Sequence, residues 1–134
     1  MGATLRKLDD EPILIVTHEG TLTLEGVEEV TARVVEAMQE AGTPLYGIID
    51  LRNATTDFAE VLRIVAHQST GATGTLSNRD SYVVLVGTHV LIRLFQKLMR
   101  ERKFGGVTLS VYNRMDEALA AVRERIGRDA QQSA

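Results

Sequence analysis

Apolar residues along this chain fall into two alternating kinds of run. Short continuous runs, Ile13 to Thr17, Tyr46 to Ile49, Tyr82 to Val86 and Val107 to Val111, have the length and β-branched content of strands buried on both faces. The segments between and after them repeat apolar residues at helical spacing. Leu24, Val27, Val30, Val34, Met38 and Ala41 form one inward stripe, and Phe58, Val61, Leu62, Val65 and Ala66 a second. Leu91, Leu94, Phe95, Leu98 and Met99 form a third, and Met115, Ala118, Leu119, Val122 and Ile126 a fourth.

Polar punctuation sets the predicted boundaries. Thr23 is placed to cap the first helix, and Gly42 and Pro44 to end it. The strand from Tyr46 to Ile49 ends in Asp50, with a polar turn expected over Arg52 to Thr56. Asp57 and Glu60 then form an Asp-x-x-Glu variant of the capping box. Thr88 and Asn113 are the expected caps of the third and fourth helices. Leu5 to Leu8 reads as a short edge strand, and the turn Asp9 to Pro12 is too short for a crossover, so it pairs antiparallel with Ile13 to Thr17. Ser69 to Asp80 is a polar loop longer than the roughly 2–6 residues usual in this class, and is expected to be a mobile connection. The order is strand, strand, helix, then three strand–helix units. It predicts one α/β domain over residues 1–128, with a mixed, mostly parallel sheet of about five strands and four helices, and a flexible tail over 129–134.

Composition narrows the function classes. The 134 residues are 44% hydrophobic and carry a net charge of −3, so a full core is affordable and no general attraction to nucleic acid or anionic lipid exists. Aromatic residues make up 4% of the chain and tryptophan is absent, which disfavours stacking on bases. The absence of cysteine excludes disulfides, thiol catalysis and cysteine metal sites, and suits a cytoplasmic protein. The opening residues MGATLRKLDD lack the apolar core of a signal peptide, and no apolar run approaches the roughly 20 residues of a membrane span. No nucleic-acid partner and no stable membrane insertion are expected.

Three features carry a family resemblance: the segment ILIVTHEGTLT with Gly20-Thr21-Leu22-Thr23 leading into the first helix, the strand ending in Ile49-Asp50, and Met115-Asp116-Glu117-Ala118-Leu119 entering the last helix. Over about residues 5 to 127 the chain resembles the STAS fold of anti-sigma-factor antagonists, and more closely the SpoIIAA-like proteins of bacteria. The resemblance implies a β-β-α-β-α-β-α-β-α domain that regulates by binding proteins. It also implies a possible ligand, because SpoIIAA-like proteins are similar in fold to lipid-binding CRAL-TRIO domains. Regulatory STAS antagonists carry an Asp-Ser-Ser-Gly-Leu turn at the second helix, whose serine is phosphorylated by a partner kinase. Here that region reads Thr55-Thr56-Asp57-Phe58-Ala59, with neither serine nor glycine. Thr55 and Thr56 are the substitute phosphoacceptors or, more simply, helix-capping residues.

Parallel strands are expected to bring His18, Asp50, Asn53, Thr56, Asp57, Thr88, His89 and Asn113 to one rim. Asp50 with His89 is the one conceivable acid–base pair, although the start of a helix disfavours an imidazolium at His89. His18, His67 and His89 include no His-x₃-His pair, so no metal site is expected, and no P-loop or GxGxxG occurs, so no cofactor is expected. A receiver domain needs an acid pair after its first parallel strand and a lysine after its last, and neither is present. Arg93, Lys97 and Arg100, extended by Arg102 and Lys103, make a basic stripe on the third helix, read as a solvated face or a dock for an acidic partner or a membrane surface. Its apolar side is broad enough to suggest a homodimer contact or a pocket wall. The leading reading is a non-enzymatic regulatory or protein-interaction module. It would dock through Asp50, Asn53, Thr55, Thr56, Asp57, Phe58, Thr88 and His89, with Arg93 and Lys97 beside them. The alternatives are a binder of a small apolar or lipid-like ligand, with a pocket against Phe58, Leu62, Leu91 and Phe95, and an enzyme using Asp50 and His89.

Overall fold

A computed structural model describes residues 2–78 and 80–133. The strands are β1 (Gly2–Lys7), β2 (Ile13–Thr21), β3 (Tyr46–Thr55), β4 (Tyr82–Val86) and β5 (Ser110–Tyr112). The helices are α1 (Leu24–Ala41), α2 (Phe58–Gln68), α3 (Val90–Arg100) and α4 (Met115–Ser133). The sheet runs β1-β2-β3-β4-β5, with β1 antiparallel to β2 and the other pairs parallel. Each crossover therefore steps one strand in the same direction. Right-handed connections then place α1, α2 and α3 together on one face of the sheet, and α4 covers the other.

Side-chain alternation along the strands divides the core between these faces. Ile13, Ile15, Ile48, Val84 and Val86 pack on Ala118 and Val122 of α4. Leu14 and Val16 pack on Val30 of α1. Leu85 packs with Val61 and Val65 of α2 and with Ile92 and Met99 of α3. The caps at Thr23 and Asp57 form as the sequence predicts, each side chain accepting an N–H three residues on, and Gly42 closes α1 in the left-handed conformation.

Several boundaries differ from the sequence pattern. Most of the expected turn over Arg52 to Thr56 is strand, which runs to Thr55. β2 continues to Thr21, past an irregularity between Thr17 and Glu19, and gives β3 ladder partners as far as Thr55. The final strand is only Ser110–Tyr112, shorter than the apolar run. His89 rather than Thr88 caps α3, its ring nitrogen accepting the Leu91 N–H at 3.1 Å. The last helix begins at Met115, two residues beyond the expected cap Asn113, with Ala118 N–H bonded to the Arg114 carbonyl. The stripe of α2 is rotated: Ile64 and Gln68 are buried, while Phe58, Leu62 and Ala66 are exposed. On α3, Ile92 lies deeper than Leu91.

Two segments expected to be loose are anchored. Within the 69–80 connection Thr75 and Leu76 are buried, and the Leu76 N–H donates to the Gln68 side chain at 2.9 Å. Gly74 there adopts φ +88 and lies against α1, where a Cβ would sit 2.7 Å from the Val35 side chain. The expected tail is helical through Ser133, and the Tyr46 hydroxyl donates to Asp129 at 2.6 Å. Arg79 of the loop, Ala134 of the tail and Met1 lie outside the described residues.

Candidate functional site

The parallel strands point their C-terminal ends at the starts of α2 and α3, and this rim is stitched to the start of α1. The Leu22 N–H donates to the Thr55 carbonyl at 2.7 Å, and the Thr56 hydroxyl donates to the Leu22 carbonyl at 2.9 Å. The Leu24 N–H donates to a Glu60 carboxylate oxygen at 2.9 Å. Glu60 thus ties α2 to α1 instead of completing a capping box on its own helix.

Asp50 does not face this rim. It shares the parity of Ile48, on the α4 face of β3, and is 4% exposed. Arg52 grips it with two guanidinium bonds of 2.9 Å each, and the Arg52 N–H adds a third bond at 3.1 Å. Burial pushes the carboxyl upward, but those hydrogen bonds and the guanidinium charge outweigh it and hold Asp50 below the usual carboxylate range. His89 stands on the other side of the sheet, engaged with the backbone of α3. The anticipated acid–base pair is therefore not assembled. Among the described residues no cluster of three His, Asp or Glu side chains could hold a metal ion.

The other expected site residues do share the rim. Thr55, Asp57, Phe58, Thr88 and His89 are exposed there, Thr56 is half-buried, and Asn53 is exposed on β3 opposite Glu19. Arg93 and Lys97 are exposed on α3 and make no ion pair with described residues. Two residues missing from the expected set belong with them. Val90, at the first turn of α3, is 72% exposed, and Leu62, one turn along α2 from Phe58, is 41% exposed; Phe58 itself is 56% exposed. These three are the large apolar side chains left exposed among the described residues.

Beneath the rim, between the sheet and α1, α2 and α3, lies a cavity of about 140 Å³. Its walls are apolar, with Val16 and Leu85 from the sheet, Val30 and Val34 from α1 and Ile64 from α2. Gly47 of β3 also lines it and contributes no side chain. Leu91 and Phe95 line it as the apolar-ligand reading anticipates, but Phe58 and Leu62 do not. Leu22, Thr56 and His89 border it at the rim, while Gly74 and Leu76 of the 69–80 segment border it elsewhere.

His18 is the polar residue of most interest in this wall. It follows Leu14 and Val16 on the same face of β2 and is 7% exposed. It also lines a second, more polar pocket of about 230 Å³, with Thr23, Glu29 and Arg33. Burial holds its imidazole below the ordinary histidine range.

No protein-family model and no curated protein sequence matches the chain. Solved structures do resemble it. An uncharacterised DUF3478 protein from Shewanella loihica, described as having a SpoIIAA-like fold, is 16% identical over 89% of this chain and 90% of its own, with a TM-score of 0.57. The anti-sigma factor antagonist SpoIIAA in its unphosphorylated form is 15% identical over 91% and 98%, with a TM-score of 0.58. An anti-sigma factor antagonist from Mycobacterium paratuberculosis is 16% identical over 90% and 92%, with a TM-score of 0.56. The five-stranded mixed sheet with four helices is the SpoIIAA-like, STAS-type fold.

Proposed function

We propose that the chain is a non-enzymatic regulatory module that binds a protein through the rim at the starts of α2 and α3. The observation that carries this reading is the location of the exposed apolar side chains. Phe58 and Leu62 share one face of α2, and Val90 begins the helix that follows the neighbouring strand. Large apolar groups left in water at one edge of a small domain mark a surface that a partner covers. Val90, Arg93 and Lys97 lie at i, i+3 and i+7, on one face of α3. The fitting partner therefore presents an apolar anchor flanked by acidic residues.

Two of the solved structures that resemble this chain are described as anti-sigma factor antagonists, which supports a regulatory role. The Thr56 hydroxyl is committed to the Leu22 carbonyl, so a phosphoryl group there would break the stitch to α1. The test is affinity purification from the native cells with wild type and with Phe58→Asp/Val90→Asp. A stoichiometric partner lost only from the double variant supports the reading, and a partner retained at the wild-type level overturns it.

A second reading, binding of a small apolar molecule, is favoured by the cavity beneath the rim. A comparable volume of about 150 Å³ lined by Leu, Ile and Phe holds benzene, so the space suits a compact molecule and not an extended lipid chain.

A further inference from the structure

We propose that the cavity between the sheet and α1–α3 holds a compact, uncharged, mainly apolar molecule carrying one hydrogen-bonding group, such as a phenol, and that His18 receives that group. The inference rests on the second reading above and adds the ligand's chemistry and the residue that selects it.

Three observations converge on His18. First, its position on β2 directs it into the cavity, because it shares the face of Leu14 and Val16, which also line the space. Second, it is nine-tenths buried, yet no hydrogen bond to its ring is made by the described residues. Among those residues no sealed side-chain nitrogen or oxygen lacks a partner, so the ring nitrogens of His18 are not sealed but open to the cavity or to the outer pocket it also lines. Third, four of the other polar side chains on the wall already have partners, and Thr55 is exposed at the rim. Thr31 donates to the Val27 carbonyl, Thr56 to the Leu22 carbonyl, Gln68 accepts from the Leu76 N–H, and His89 accepts from the Leu91 N–H. A buried imidazole left without a partner is the group that a ligand would complete.

The wall also sets the ligand's charge. No lysine, arginine, aspartate or glutamate lines the cavity, so an ionised ligand would lose its hydration without a counter-charge. Burial favours neutral imidazole at His18, which offers one N–H donor and one nitrogen acceptor. A hydroxyl group can pair with either. Size limits the remainder to about one aromatic ring.

The experiment titrates the full chain with benzene, phenol and hexanoate at pH 8, following methyl resonances by carbon-13 NMR. Benzene and phenol are expected to shift the methyls of Val16, Val30 and Leu85 saturably, and to leave Val122, across the sheet, unmoved. Phenol should bind roughly fivefold to tenfold more tightly than benzene, the worth of one hydrogen bond. In His18→Leu that preference should vanish, and His18→Gln, which keeps a donor and an acceptor, should restore part of it. Val34→Phe, projecting into the space, should weaken both aromatic probes. If benzene produces no saturable shift, the ligand reading itself fails. If benzene binds but phenol is no tighter, or is equally tighter in His18→Leu, the role of His18 fails while the ligand reading stands. Hexanoate binding as tightly as phenol would overturn the uncharged class.

Discussion

Replacing Gln68 by Met tests whether the 69–80 segment is held by one buried side chain. Gln68 closes α2, and its side-chain oxygen accepts the buried Leu76 N–H at 2.9 Å. Its amide nitrogen lies 3.1 Å from His67 Nδ1 and 3.5 Å from Thr31 Oγ1 on α1. Met keeps the length and volume but supplies no acceptor. The Leu76 N–H is then left unpaired beside the core, which costs about 1–3 kcal/mol. Met gains some packing against the apolar wall, so a net loss of about 1–2 kcal/mol is expected. For a domain of this size that lowers Tm by roughly 4–8 °C. Urea unfolding followed by circular dichroism should show a lower midpoint with an unchanged slope. Native-state hydrogen exchange should show the Leu76 amide losing protection while Val65 and Leu85 keep theirs. A loss below about 0.5 kcal/mol, or unchanged exchange at Leu76, would refute the claim that this contact anchors the segment.

Gly74→Ala should destabilise by about 2–5 kcal/mol in the same assay, since the left-handed backbone and the Val35 and Thr31 contacts both resist a Cβ. Phe58→Ala and Val90→Ser should alter stability by less than about 0.5 kcal/mol, because both side chains are already in water; a larger loss would mean that they pack. On acidification, burial keeps His18 unprotonated in the folded state below the pH where it charges when unfolded. Stability should therefore fall as the pH drops below about 6.5 and be insensitive to this group above it. His18→Leu should remove that slope; Glu19, Glu29 and Arg33 share its outer pocket, so the variants Glu29→Gln and Arg33→Gln serve as controls. The hydrogen bond to Asp129 raises the Tyr46 phenol above its ordinary range, so Asp129→Ala should let Tyr46 ionise at lower pH in a spectrophotometric titration.

The fold was legible because its determinants are local. Continuous apolar runs, helical stripes and the caps Thr23, Asp57 and Gly42 each act within a few residues, and they place the elements in order. Boundaries that depend on a neighbouring strand were not legible. Arg52 to Thr55 read as a turn from their polarity, yet β2 beyond Thr17 supplies their ladder. That extension moves Asp50 from a strand end to the middle of a strand, where alternation turns it to the α4 face and away from His89. The helix over the expected tail was not legible for the same reason: Asp129 bonds to Tyr46, 83 residues earlier in the chain.

The candidate site consists of positions where local polarity and tertiary placement disagree. Phe58 and Leu62 fit an inward stripe, but α2 is rotated so that Ile64 and Gln68 take the core and leave both in water. His18, between Thr17 and Glu19, reads as a polar rim residue, but it pairs with Ala3 of β1 and is buried in the fold. No window of sequence contains these causes, because each burial is decided by an element distant in the chain. Departures of this kind from the local pattern are what a functional site would produce. A domain selected only to fold would place a valine at 18 and polar residues at 58, 62 and 90. The four departures fall on two adjoining features, with Thr56 and His89 shared between the rim and the cavity wall. That adjacency makes the rim and the cavity the parts of this fold where binding is to be sought.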